Sequence, residues 1–287
     1  MSSTALQEKR RHIYKDLVNL HEKLENVNGP SCPHSVLEVI GIHDVLVNIL
    51  PTSLPEFSPV FFIPPNRDFH LETPYPRSTQ ISQTHGEEDN ASPPNLRYPF
   101  LLHQADNRLA NTVVPRWSSV TGFTSFRNDG AITKEKWSLR DELTLYQVDS
   151  ASHWWRVSEV LECPHHTHPH VVFDLASTED AQSDEQSSLV LQLKVGEIKS
   201  IIRIMRIAME REYNRECLVV PVLVLSYTPP NYGRIIQAHH TGSNLIIQYT
   251  PRIAFDDPAF SPAELFLRYY CSKPVLPLGG LDPWKAN

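Results

Sequence analysis

LVLQLKVGEIKSIIRIMRIAMERE, residues 189–212, is the stretch on which the fold turns. Its first part, LVLQLKVGE over 189–197, alternates apolar and polar residues and predicts a strand. Residues 200–213 are rich in Ile and Met. They are apolar around more than half of a helical circumference, which predicts a helix buried on a sheet face. The junction is Gly196-Glu197-Ile198-Lys199. In an extended chain the period of two places Glu197 and Lys199 on one face, so the strand is expected to end by presenting a carboxylate and an ammonium side by side.

On the N-terminal side, WWRVSEVLE (154–162) and HVVFDL (170–175) predict two further strands. The polar run ASTEDAQSDEQSS between HVVFDL and residue 189 predicts a long hairpin loop. Ser138 and Asp141 resemble a helix N-terminus, and LRDELTLYQV (139–148) is expected to be helical. On the C-terminal side, CLVVPVLVLS (217–226) is a nearly continuous apolar run, the mark of a strand covered on both faces, with Pro221 interrupting it. Strands at 233–238 and 244–249 and a short helix PAELFLRYY opened by Ser261 complete the pattern. His239-His240-Thr241-Gly242 reads as the turn between those last two strands. The order is helix, three strands, helix, strand, which makes the fold class α/β (α+β) with a mixed central sheet.

Asp174 ends the strand before the Glu-x-Lys run. If those two strands form an antiparallel hairpin, Asp174 approaches Glu197. Converging carboxylates repel, and a divalent cation with hard oxygen ligands, Mg2+ or Mn2+, relieves the repulsion. Such an ion polarises a phosphoryl oxygen and lowers the pKa of a bound water, and a neighbouring ammonium stabilises the charge that develops. This α-β-β-β-α-β order, with an Asp on the second strand and Glu-x-Lys on the third, resembles the PD-(D/E)XK nuclease superfamily, and most of all its divergent fungal nuclease-like domains. The resemblance covers roughly 135–250. It implies Asp174 and Glu197 as metal ligands and Lys199 as the catalytic lysine, with Glu142 on the first core helix as an assisting carboxylate. The chain departs from the pattern in carrying Phe173 before the Asp and a long Asp174-to-Glu197 interval. The alternative for Glu-x-Lys is an exposed ladder pair, worth about 0.2–1 kcal/mol.

The N-terminal half is organised differently. Ile13, Leu17, Leu20 and Leu24 give residues 4–26 an amphipathic helical period, stopped by Asn28-Gly29-Pro30. VLEVIGIHDVLVNIL (36–50) is expected to form a second helix, and the two make a helical hairpin that packs on something. Residues 51–98 are dense in Pro, and STQISQTHGEEDNASPPN lacks apolar periodicity, so 78–96 is expected to be disordered. The resulting division is a helical region at 1–50, a Pro-rich irregular segment at 51–132 and a nuclease-like core at 133–287.

The 287 residues hold 40% hydrophobic and 21% charged residues, ordinary for a globular protein large enough to bury a core. The net charge of -7 is not that of a protein that coats nucleic acid, although a local basic groove is compatible with it. Over 199–216, Lys199, Arg203, Arg206, Arg211 and Arg215 outnumber the acids, and Arg203 and Arg206 share a helix face from which phosphates are reachable. Cys32, Cys163, Cys217 and Cys271 are far apart, which predicts reduced thiols and an intracellular protein of nucleus or cytoplasm. No signal-peptide core or membrane span is read, and the KRR of Lys9 to Arg11 reads as a solvated helix face. Cys163-Pro-His165-His166-Thr-His168-Pro-His170 has the composition of a Zn2+ or Cu2+ tract, yet its spacing fits no closed tetrahedral motif, so an exposed loop is expected. Trp154-Trp155 offers either base stacking or core packing. No GxSxG, GxxxxGK or GxGxxG occurs. Two functions follow: a metal-dependent phosphodiesterase acting on DNA or RNA, or an inactive nuclease-like scaffold that binds a protein partner through its N-terminal helices.

Overall fold

The computed structural model describes residues 3–27, 29, 31–50, 53–65, 124–125, 144–148, 153–163, 168–177, 191–228, 232–255, 257, 262–270 and 272–275. Glu142, the 78–96 segment, His165 and His166 lie outside the described residues. Helix α1 spans Ser3–Glu25, β1 Ser31–Cys32, α2 His34–Ile40, β2 Ile42–Leu46 and β3 Phe62–Ile63. Strands β4 (Thr124–Ser125), β5 (Thr144–Val148), β6 (His153–Glu162), β7 (Val171–Ser177) and β8 (Leu193–Lys194) precede α3, Val195–Glu210. A 3-10 turn, Glu212–Asn214, leads to β9 (Val222–Thr228), β10 (Tyr232–His240), β11 (Leu245–Tyr249), β12 (Ile253–Ala254), α4 (Pro262–Tyr270) and β13 (Lys273–Pro274).

The main sheet runs β2-β11-β10-β9-β7-β6-β4, with β5 also on β6 and β12 on β10. It is mixed: β7 and β9 are parallel, as are β2 and β11, while the β5-β6, β6-β7, β9-β10 and β10-β11 pairs are antiparallel. The expected fold class is therefore the one observed, a mixed sheet flanked by helices with three consecutive antiparallel strands and a helical crossover to a parallel neighbour. The three strands, however, are β5, β6 and β7, one place earlier than the sequence pattern indicates. Residues 144–148, expected at the end of a helix, form β5. Residues 195–197, expected at the end of the third strand, already belong to α3.

The shift at 195 has a local cause. Lys194 is extended, with φ -85° and ψ 143°, and is the residue from which α3 starts. Glu197, at the third helical position, accepts the Lys194 backbone N–H on Oε2 at 2.9 Å. This is the second half of a capping box, and a carboxylate in the first turn also suits the helix dipole. The usual Ser, Thr, Asp or Asn at the cap is missing, so the start signal is hidden in the sequence. Gly196 permits the close seat of this first turn: a Cβ there would lie 2.3 Å from Cδ1 of Trp155, which is buried in the core.

Each sheet face has its own core. On one face α1 and α3 cover Val171, Phe173, Leu175, Val222, Val224, Ile236, Ala238 and Ile247. Ile13, Leu17, Leu20 and Leu24 of α1 enter this core, so the N-terminal helix is built into it. The other face holds Val172, Leu223, Leu225, Tyr227 and Ile235 beneath Phe57, Phe61, Phe62 and α4. Strand β9 is buried along its whole length, as its apolar run predicts, and begins just after Pro221. The second N-terminal helix is shorter than expected. Gly41, at φ +96°, ends α2 in the left-handed conformation and its N–H returns to the Leu37 and Glu38 carbonyls. The chain then extends as β2 along β11. Among the described residues no helix is long and apolar enough to cross a membrane.

Arg10 fixes α1 against the end of α3. Its guanidinium donates to the carbonyls of Met209 at 2.5 Å, Asn214 at 2.6 Å and also Cys217. Burial pushes the Arg10 pKa below its ordinary value, and the nearby Cys217 partly offsets that shift.

Gly196→Ala is expected to lower the unfolding free energy by about 1–3 kcal/mol, because the new methyl group forces Trp155 out of its seat. Urea unfolding followed by tryptophan fluorescence measures it, and an unchanged midpoint would reject this account of the α3 start.

Candidate functional site

The residues singled out from sequence come from three places. Asp174 is on β7, and Glu197 and Lys199 are on α3. Two residues apart on a helix means about 200° of rotation, so Glu197 and Lys199 point to different sides. The expectation that they share a face, sound for a strand, fails because the segment is helical.

Glu197 is directed at the sheet and is 1% exposed. Its Oε1 accepts Ser226 Oγ of β9 at 2.7 Å and stands 3.4 Å from Arg234 Nε of β10, which is also 1% exposed. Oε2 is held by the Lys194 N–H described above. Arg234 further donates to the Gln192 carbonyl at 3.0 Å and lies 5.6 Å from the centre of the Tyr249 ring. Tyr249 donates to Asp44 Oδ2 at 3.1 Å, and Asp44 Oδ1 meets His34 Nδ1 at 2.5 Å. Burial is the main reason that the Tyr249 phenol is held well above its ordinary range, with Asp44 adding to the effect. The hydrogen bond to Asp44 raises the exposed His34. A polar chain thus links α3 to β9, β10, β11 and β2.

Lys199 faces α1. Its Nζ is 3.0 Å from Glu25 Oε1, an ion pair with the carboxylate half open to water. Asp174 lies on the opposite side of the sheet from Glu197. On β7, Val171, Phe173 and Leu175 belong to the α3-side core, whereas Val172 belongs to the other. Asp174 shares the parity of Val172, and its ladder partner is Leu225, again of the far face, one residue before Ser226. One ion with oxygen distances of about 2–2.6 Å cannot reach carboxylates on two faces of a sheet. The Asp174–Glu197 metal pair, with Lys199 beside it, is therefore corrected: the three do not converge, and Arg234 neutralises Glu197. Among the described residues no group of three or more His, Cys, Asp or Glu is placed to hold a metal ion. Asp174 and Glu197, on opposite faces of the sheet, accordingly do not form a donor pair for one Mg2+ or Mn2+ ion.

Sequence reasoning missed Ser226 and Arg234. Neither lies near Glu197 in the chain, and neither strand pattern marks them as partners of a helix N-terminus. It also missed that the β6-β7 ladder sets Glu159 opposite Asp174, directly after an irregularity between Val157 and Glu159.

The His tract behaves differently from expectation as well. His170 is buried rather than exposed, between Phe61 at 6.1 Å and Phe62 at 5.2 Å, with Nε2 3.2 Å from the Val275 carbonyl. Cys163 is buried next to it, and burial pushes its thiol up to about 12. His239 and His240 are within β10, not in the turn, which is formed by residues 241–244. His239 packs 4.9 Å from Phe61, and His240 Nε2 reaches Asp16 Oδ2 of α1 at 2.8 Å. Desolvation lowers His170 to about 3 and His239 to about 4, with the neighbouring His168 and His240 adding to the effect.

Two outcomes test this geometry. Glu197→Gln keeps the shape but leaves Arg234 with a buried, uncompensated charge, so a loss of about 3 kcal/mol in unfolding free energy is expected. A double-mutant cycle with Arg234→Met measures the coupling, and zero coupling would remove the pair from the account. Below pH 6.5 the unfolded chain protonates His170 and His239 while the folded chain does not, so stability falls as pH falls. Between pH 6.5 and pH 5 the expected loss is about 1.6 kcal/mol per histidine. Urea unfolding across this window should show a flatter profile in the His170→Asn/His239→Asn variant.

No family model matches the chain, and neither a curated protein nor a solved structure matches it at a significant level.

Proposed function

We propose that this chain is a non-catalytic binding protein built on a nuclease-like α/β core. The observation that carries the reading is the enclosure of Glu197. Its two oxygens are engaged by the Lys194 N–H, the Ser226 hydroxyl and the Arg234 guanidinium, and it is shut away from solvent. A metal ligand of a hydrolytic site needs an open coordination position and a second carboxylate within reach, and Glu197 has the opposite setting. Lys199 is occupied in joining α3 to α1 through Glu25. The likeness to the nuclease core rests on the β5-β6-β7-α3-β9 order and the parallel β7-β9 pairing. An intracellular location, nuclear or cytoplasmic, goes with the same proposal.

The N-terminal region supplies a surface for a protein partner, although not through α1, whose apolar stripe is consumed by α3. Among the described strands β2 pairs with β11 alone. Val45 and Leu46 on β2 are exposed, and Val39 and Leu50 flank it at 84% and 64% exposure. An edge strand with apolar side chains and an unshared ladder accepts an extended peptide segment by strand addition.

The test is a cleavage assay on single- and double-stranded DNA and RNA with millimolar Mg2+ or Mn2+. No metal-dependent cleavage is expected. Cleavage that persists through purification and is abolished by Asp174→Asn would overturn the reading.

A further inference from the structure

Strand β2 ends the main sheet among the described strands, and its pairing with β11 decides which of its backbone groups point outward. The Val47 N–H donates to the Tyr249 carbonyl at 2.8 Å. Backbone groups alternate sides along a strand, so His43, Val45 and Val47 address β11, while Ile42, Asp44 and Leu46 turn their N–H and C=O groups outward. Apolar side chains gather at this edge. Among the described residues seven large hydrophobic side chains are exposed, and four of them, Val39, Val45, Leu46 and Leu50, lie within 39–50. Such a cluster marks an interaction face rather than ordinary surface scatter. The residues that usually block strand pairing at an edge, Pro and Lys, are absent from Ile42–Leu46. Its one carboxylate, Asp44, is drawn away to Tyr249 and His34.

We propose that β2 pairs antiparallel with β2 of a second copy of this chain, about a two-fold axis through the Val45 pair. The pairing rests on the strand-addition reading above and gives it a partner. A ladder forms only where outward-facing residues stand opposite outward-facing residues. An axis at Asp44 would set two carboxylates directly opposite each other, which is destabilising. An axis at Val45 instead sets Asp44 opposite Leu46 of the second copy, and these pairs exchange backbone hydrogen bonds on either side of the axis. Val45 then meets its own copy at a non-hydrogen-bonded position, where Cα atoms approach to about 4.5 Å and side chains are closest. The flanks obey the same axis. Val39 precedes Val45 and Leu50 follows it at nearly equal intervals. The two-fold therefore brings Leu50 of each copy to the end of the other's β2, where α2 carries Val39. A patch that is apolar on both sides of its own centre is self-complementary, as an isologous interface requires. A peptide of another protein needs no such symmetry. Specific interfaces take about 800 Å² from each partner, and one short strand supplies less. Val39 and Leu50 therefore belong to the contact, and the dimer is reversible. With a net charge of -7 the copies repel, and salt screens that repulsion.

The experiment is sedimentation equilibrium of the full chain from low micromolar to hundreds of micromolar, at low and high salt. A monomer–dimer equilibrium with Kd in the micromolar range is expected, no weaker at high salt. Val45→Lys sets two ammonium groups against each other on the axis and should raise Kd about tenfold or more. Ile63→Lys, at an exposed position on β3, which pairs with β13, should dimerise as the parent does. Thermal unfolding of each variant separates loss of contact from loss of fold. Cysteine variants fix the register, with the parent as control for the native thiols. Oxidised Val45→Cys should form a disulfide dimer, because a Cα separation of about 4.5 Å suits that bond. Leu46→Cys stands diagonal to its own copy, beyond the limit of about 7 Å, and should not cross-link. The proposal is overturned if the parent stays monomeric throughout, or if the folded Val45→Lys variant dimerises as tightly as the parent. It is also overturned if salt dissociates the dimer, or if Leu46→Cys cross-links and Val45→Cys does not. A monomeric parent leaves the non-catalytic reading standing, since only the cleavage assay decides that, so the two fail separately.

Discussion

A carboxylate carried into a protein interior must be neutralised, and the contact of Glu197 with Arg234 meets that requirement at the point where α3 joins the sheet. Glu197 closes the first turn of its own helix through Lys194 and ties it to β9 through Ser226. Arg234 extends the connection to Tyr249, and from there the hydrogen bonds continue to Asp44 on the edge strand β2. A polar chain of this kind in a low-dielectric setting is strong only when every member is engaged. It sets the depth and orientation of α3, on which the α1-side core is assembled.

The other end of α3 is held by a different device. Arg10 supplies donors to the Met209 carbonyl, in the last turn of α3 where carbonyls lack intrahelical partners, and to the Asn214 carbonyl of the 3-10 turn that follows. Together with Lys199–Glu25 and the apolar stripe of Ile13, Leu17, Leu20 and Leu24, this makes α1 a layer of the fold rather than an appendage. Glu197 and Lys199, which looked functional in the sequence, are therefore residues that join layers. Charged groups at a strand–helix junction have the same composition whether they face a substrate or another element, and only their neighbours separate the two cases.

What was legible in the sequence depended on how local its cause was. The apolar period of α1, the continuous run of β9 and the β10-β11 hairpin are consequences of neighbouring residues and are visible in the sequence, whereas the turn after His240 lies two residues later than its pattern suggests. The apolar period runs past the end of α2 because Gly41 ends the helix by taking a left-handed conformation, which such a period does not register. Residues 144–148 carry a helical pattern, but their place beside β6 makes them a strand, an instance of ladder pairing overriding a weak local preference. The Glu-x-Lys run has the sequence signature of a strand because LVLQLKV alternates and because Lys194 replaces the polar residue that normally announces a helix. Of the candidate site, the residues were visible and their grouping was not. Asp174 and Glu197 were expected together, and the sheet separates them by its two faces.

By itself the sequence determined a mixed α/β protein with a buried crossover helix, an amphipathic N-terminal helix and a wholly buried strand, because hydrophobic period and length follow from residues close in the chain. The tertiary structure alone decided what the charges do. Ser226 and Arg234 are distant from Glu197 in sequence, as Glu25 is from Lys199, and Arg10 is 199 to 207 residues away from the carbonyls to which it donates. A side chain's electrostatic role is set by which partners and how much water surround it, and those are properties of the packed layers rather than of any stretch of sequence.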